Sequence, residues 1–174
     1  MEHAVEILRR VGNLVDAGKA LNNLGGILFL LGDEAAARRH LDEAFAIALE
    51  LGDDVDTAYA VSSTAQVLLR GGAAADAEEK ASHALRLLAG RVDHVSETGS
   101  AQLVRGRALM ELDRYDEAEE ALRLADDSYL QMDSVGHRAS VWLAQGDLAV
   151  QLGRIDDAAT IYRRAAEALQ DVRF

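Results

Sequence analysis

The stretch ALNNLGGILFLLGDEAAARRHLDEAFAIALELGD, residues 20–53, decides the fold. Its first half carries Leu21, Leu24, Leu28 and Leu31 and stops at Gly32-Asp33. Its second half carries Ala37, Leu41, Ala44, Ile47, Ala48 and Leu51 and stops at Gly52-Asp53. Spacings of three and four place each set on one face of a helix. A glycine closes a helix in the left-handed conformation, and an aspartate after it caps the next helix by accepting from its first free N–H groups. The stretch therefore predicts helix, tight turn, helix, tight turn.

The same unit recurs along the chain with a period of about 40 residues. Ala37, Ala77, Ala118 and Ala158 occupy one register, and Ala4, Ala44, Ala84, Ala125 and Ala165 a second. Gly25, Ala65, Gly106 and Gly146 form a third, in the middle of each first helix, and Gly32, Gly72, Asp113 and Gly153 mark the turn. Agreement among four registers, with a single-residue slip between the second and third repeats, identifies a repeat protein.

Composition supports this reading. The chain has 174 residues, 49% of them hydrophobic but only 5% aromatic, so its core is built from Ala, Leu and Val in closely packed helices. Proline is absent, which removes the strongest helix breaker. The net charge of −12 argues against direct contact with nucleic acid, because phosphate binding depends on Lys and Arg. It suits an acidic surface or a basic or neutral peptide partner. Cysteine is absent, which excludes disulfides and thiolate metal sites and fits the cytoplasm. No run reaches the roughly 18 apolar residues of a membrane span, and MEHAVEILRRVGN lacks a secretory layout. The expected location is cytoplasmic, with no membrane partner.

The whole chain, 1–174, is expected to form one solenoid. Residues 1–13 match only the second half of the unit, with Ala4 under Ala44 and Gly12 under Gly52. Repeat 1 spans 15–51, repeat 2 55–89, repeat 3 92–132 and repeat 4 134–170. Repeat 2 departs most from the pattern: Thr64 and Ala65 replace the Leu-Gly pair, Ala81 replaces Leu41, and the turn is Gly71-Gly72-Ala73. An incomplete first hairpin leaves an apolar face on Ala4, Ile7, Leu8 and Val11, so the chain is expected either to continue a longer protein or to pair with a second copy through its open N-terminal or C-terminal end. The chain closes at Asp171–Phe174 without a polar helix.

At these positions the chain resembles a tetratricopeptide repeat array. Repeat 1 matches the family's pattern with Leu21, Leu24-Gly25, Leu28, Ala37, Leu41 and Ala44, and repeat 4 with Trp142, Gly146, Ala158, Tyr162 and Ala165. The resemblance implies an all-α fold, a right-handed superhelical α-solenoid of about four helical hairpins plus the N-terminal half-unit. The chain departs from the family in a period above the usual 34 or so, in having no proline, and in Arg105 and Gln145 where leucine is expected. The runs SAQLVRGRALMELDRYDEAEEALRLADDSY, 100–129, and HRASVWLAQGDLAVQLGRIDDAATIYRRAAEAL, 137–169, are further similar to the C-terminal repeat region of actinobacterial XRE-type helix-turn-helix transcriptional regulators. That resemblance implies a DNA-binding domain ahead of the array.

Candidate chemistry is sparse. His3, His40, His83, His94 and His137 show no ligand-pair spacing, so no metal site and no cofactor are expected. Gly25-Gly26 and Gly71-Gly72 lack the phosphate-loop arrangement, and the hydroxyls of Ser62, Ser63 and Thr64 have no nominated base. The chain is not expected to be an enzyme.

The resemblance places the first helices along an inner, concave groove. By that register Lys19, Asn22, Asn23, Gly26 and Phe29 face it in repeat 1, and Tyr59, Ser62, Ser63, Gln66 and Arg70 in repeat 2. Leu103, Arg107 and Met110 follow in repeat 3, and Leu143, Asp147 and Gln151 in repeat 4. Asn and Gln side chains both donate to and accept from a peptide backbone, and Lys19 or Arg107 can hold a carboxylate. The family's carboxylate clamp is not reproduced in full. The expected function is a peptide- or protein-binding module, the ligand-sensing or dimerisation region of a bacterial transcriptional regulator. The alternative is a stand-alone scaffold for protein–protein interaction.

Overall fold

The computed structural model of the chain describes residues 2–170. Among them are the helices α1 (Glu2–Arg10), α2 (Leu14–Leu30), α3 (Glu34–Leu51), α4 (Asp54–Arg70), α5 (Ala74–Leu87), α6 (Val95–Glu111), α7 (Tyr115–Gln131), α8 (Val135–Gln151) and α9 (Ile155–Gln170), and no strand. The all-α class expected from the sequence is the observed one. The closing stretch 171–174 lies outside the described residues.

Seven of the connections are the same tight device, three residues long in six and two residues long at Gly52-Asp53. The residue after the left-handed position sends its N–H back five residues: Asn13 to Leu8, Asp33 to Leu28, Asp53 to Ala48, Ala73 to Leu68, Arg114 to Leu109, Ser134 to Tyr129 and Arg154 to Ala149. Its carbonyl then accepts the first bond of the next helix, as from Ala37 to Asp33 and from Thr57 to Asp53. One residue thus closes a helix and opens another. Asp33 adds a side-chain cap on the Ala36 N–H, and Asp53 caps both Val55 and Asp56. Asp113 and Asp133 take the left-handed position at φ 57° and 50°, a conformation aspartate tolerates better than most residues. The connection at 88–94 is longer, and there the chain divides into two compact units, Met1–Gly90 and Arg91–Phe174.

Within the N-terminal unit α2 packs on α3 and α4 on α5, while α1 lies against α2 and α3 against α4. Val5, Leu21, Ala44, Ile47 and Ala60 make one buried cluster, and Phe29, Ala37, Leu41 and Val67 another. Within the C-terminal unit α6 packs on α7, α7 on α8 and α8 on α9, around Leu109, Leu122, Tyr129, Val141 and Leu148. Helix pairs close tightly because a small residue on the first helix meets a large one on the second. A Cβ on Gly106 would lie 2.8 Å from Leu122 Cγ, and one on Gly146 2.4 Å from Tyr162 Cε1. The space a side chain would need is already filled by its partner.

In both units the first helices of successive hairpins touch, α2 with α4 and α6 with α8. Among the described residues the backbones of α3 and α5, and of α7 and α9, stay farther apart. The first-helix side is therefore the tighter side of each unit, and its residues converge.

Candidate functional site

The clearest convergence lies in the N-terminal unit, where α2, α3 and α4 enclose a cleft. Its apolar wall is Ala44, Ile47, Ala48 and Leu51 of α3. Its polar rim is Lys19 and Asn22 of α2 with Asp56 and Tyr59 of α4. The forty-residue period explains the meeting: Lys19 and Tyr59 hold equivalent positions on neighbouring first helices, so the packing of α4 beside α2 brings both to one rim.

Lys19 Nζ stands 3.7 Å from Asp56 Oδ1, a loose ion pair with the lysine half exposed. Tyr59 is 41% exposed despite its size. Asn22 is buried, and its Oδ1 has no hydrogen-bond partner. Buried polar atoms are nearly always paired, so this oxygen is an exception, enclosed in the packing beside the cleft. Asp56 was not singled out from sequence. It stands one turn before Tyr59 and Ala60, and that same-face spacing is the signal that could have found it.

The other expected face residues divide into open and covered ones. Asn23 and Gln66 are exposed. Phe29 is buried and the Arg70 guanidinium lies over its ring, 4.7 Å from the centroid, so these two expected groove residues pair with each other. Ser62 is buried with its hydroxyl unpartnered, facing the helix packing rather than the open side. Asn22, Phe29 and Ser62 thus differ from the outward orientation that the register suggests. The reason is the close approach of α4 to α2, which encloses positions that an isolated first helix would leave open.

In the C-terminal unit Arg107 is exposed and its Nη2 donates to the Ser140 carbonyl at 3.4 Å, bridging α6 and α8. Asp147 is exposed but accepts the Tyr162 hydroxyl at 2.6 Å. That bond favours the protonated phenol and holds the Tyr162 pKa above its ordinary value. Leu143 and Val150 flank Asp147 with 40% and 46% exposure.

An ammonium, a carboxylate, an amide and a phenol beside an aliphatic wall are groups of recognition. Among the described residues no group of three or more His, Cys, Asp or Glu is placed to hold a metal ion. No helix among them is long and apolar enough to cross a membrane.

No curated protein matches the chain. The crystal structure of BtubC (BKLC) from P. vanneervenii is similar, with a TM-score of 0.83 and 21% identity, covering 99% of this chain and 72% of that one, a likeness that shows the fold alone. Tetratricopeptide repeat models match residues 16–89 and, twice more, residues 80–132 and 103–172. Together with helical hairpins closed by small-on-large contacts, these matches place the chain in the tetratricopeptide repeat family, an interaction fold.

Proposed function

We propose that the chain binds an extended peptide or protein segment on its first-helix face, with the cleft of Lys19, Asn22, Asp56 and Tyr59 as the principal contact. The observation that carries this reading is the cleft itself, whose polar rim of Lys19, Asp56 and Tyr59 borders an aliphatic wall. A peptide offers both kinds of group that this arrangement can meet, polar backbone groups for the rim and an apolar side chain for the wall. We further propose a regulator context, on the resemblance of residues 100–129 and 137–169 to the repeat regions of XRE-type regulators. That likeness supports a cytoplasmic ligand-sensing role in which peptide binding selects between arrangements of the array. Such a switch requires different affinities for the two arrangements.

The test is a peptide array probed with the intact chain, followed by calorimetry of the best peptide against Lys19→Ala, Asn23→Ala and Tyr59→Ala. These exposed positions leave the core intact, and each is expected to weaken binding several-fold. Undiminished binding by all three places the site elsewhere. For the regulator role, a reading frame upstream that encodes a helix-turn-helix segment supports it, and a gene without one removes it.

A further inference from the structure

Helix α9 carries two apolar stripes. Ala158 is buried, and Ile161, Ala165 and Ala168 pack around Trp142 of α8. Ile155, Ala159, Tyr162, Ala166 and Leu169 form a second stripe at spacings of four and three residues, about a third of a turn away. Ile155 is 60% and Leu169 42% exposed, Ala159 and Ala166 are exposed, and Tyr162, whose ring packs on Gly146 and whose hydroxyl donates to Asp147, keeps only its outer edge on this stripe.

The repeat itself shows what covers such a stripe. On α7 the equivalent positions include Leu122, Asp126 and Tyr129. There α8 lies across them, with Arg138 bound to Asp126 at 2.8 Å and His137 stacked on Tyr129 at 4.8 Å between ring centroids. Because α8 follows α7 through a tight turn, the covering helix runs antiparallel.

We propose that the second stripe of α9 is covered by α9 of a second copy of this chain, paired antiparallel. Charge complementarity selects this occupant. Asp156 and Arg163 lie two turns apart on one flank of the stripe, and both are exposed. When Ala159 of one copy opposes Tyr162 of the other, each Asp156 comes beside the second copy's Arg163, so one contact is made twice. A net charge of −12 disfavours unspecific self-association, which makes such local pairs decisive. The exposed apolar positions of α1, Ala4, Ile7 and Val11, are a weaker candidate. They are fewer, and nearby charges are already engaged, Glu6 with Arg10 and Arg9 with Glu43. This inference is independent of the peptide cleft.

Sedimentation equilibrium of the full chain across a dilution series tests it, with circular dichroism as the control for folding. The wild type is expected to be a dimer that dissociates on dilution. Ala159→Glu, at an exposed position, is expected to give a monomer of unchanged helicity. Asp156→Arg alone sets like charges together twice and is expected to weaken the dimer by about tenfold, whereas Asp156→Arg with Arg163→Asp restores it. A monomer at every concentration overturns the proposal, whether a further helix of a longer chain or a basic partner takes the stripe. A dimer indifferent to Ala159→Glu, or a charge exchange that fails to restore pairing, overturns it equally.

Discussion

Gly25 and Leu41 share one volume: a Cβ on Gly25 would lie 2.7 Å from Leu41 Cγ and 2.8 Å from its Cδ2. The pairing recurs sixteen residues apart as Gly106 with Leu122 and Gly146 with Tyr162. In repeat 2 the same two positions hold Ala65 and Ala81, both fully buried. One side carries an added methyl group where the other, methyl in place of isobutyl, is smaller by an isopropyl.

Gly25→Leu is therefore expected to overpack the α2–α3 contact and cost about 1 to 3 kcal/mol in denaturant unfolding. Leu41→Ala alone is expected to cost about 2 to 5 kcal/mol. Gly25→Ala combined with Leu41→Ala reproduces the repeat 2 pair, and its loss should fall short of the sum of the single changes. Strict additivity would mean that the two residues do not share space.

The helix starts differ in a way that chemical denaturation can read. Asp53 caps two N–H groups, whereas Ala73 at the start of α5 offers no side-chain cap. Asp53→Ala is expected to lose about 1 to 2 kcal/mol and Ala73→Asp to gain about 1 kcal/mol. A neutral Ala73→Asp would show that the α5 terminus is already satisfied by solvent.

Arg70 shields Phe29. Arg70→Ala is expected to cost about 0.5 to 1 kcal/mol, the range of an accessible cation–π contact, while Arg70→Lys should retain part of it. Equal losses for both replacements would assign the effect to the planar guanidinium stacked on the ring rather than to charge or to the side-chain stem.

At high pH three tyrosines are expected to limit stability. Burial raises the Tyr129 pKa, and hydrogen bonds to Asp113 and Asp147 raise those of Tyr115 and Tyr162. A phenol whose pKa is higher in the folded chain stabilises the fold fully below its unfolded value of about 10. That contribution is lost as pH rises through the folded value. Phenolate absorbance in the native protein should thus appear later than in the unfolded chain, and thermal stability should fall above pH 10 or so. Tyr162→Phe and Tyr129→Phe should each flatten that fall; if neither does, other groups control alkaline unfolding.

The helices and their turns were legible because they rest on local chemistry. The Gly-Asp pairs at 32–33 and 52–53 state in two adjacent residues both how a helix ends and how the next begins. The left-handed backbone at Asp133 was not singled out, since aspartate at that place reads as ordinary polarity. The site was less legible. Which residues sit on a first helix follows from the period, but whether Asn22, Phe29 and Ser62 are open or covered depends on how near α4 comes to α2. That distance is fixed by contacts between residues some forty positions apart. Asp56 went unnoticed for the same reason, as its role arises only when Lys19 arrives from another helix.

The sixteen-residue pairing also governs how this chain can be rebuilt. Helices from different hairpins are not interchangeable parts: α3 grafted behind α4 would drive Leu41 into the Ala65 methyl, and α5 behind α2 would leave a hollow where Leu41 stood. A chimera must carry over both members of a pair, so the smallest transferable module is the hairpin rather than the helix.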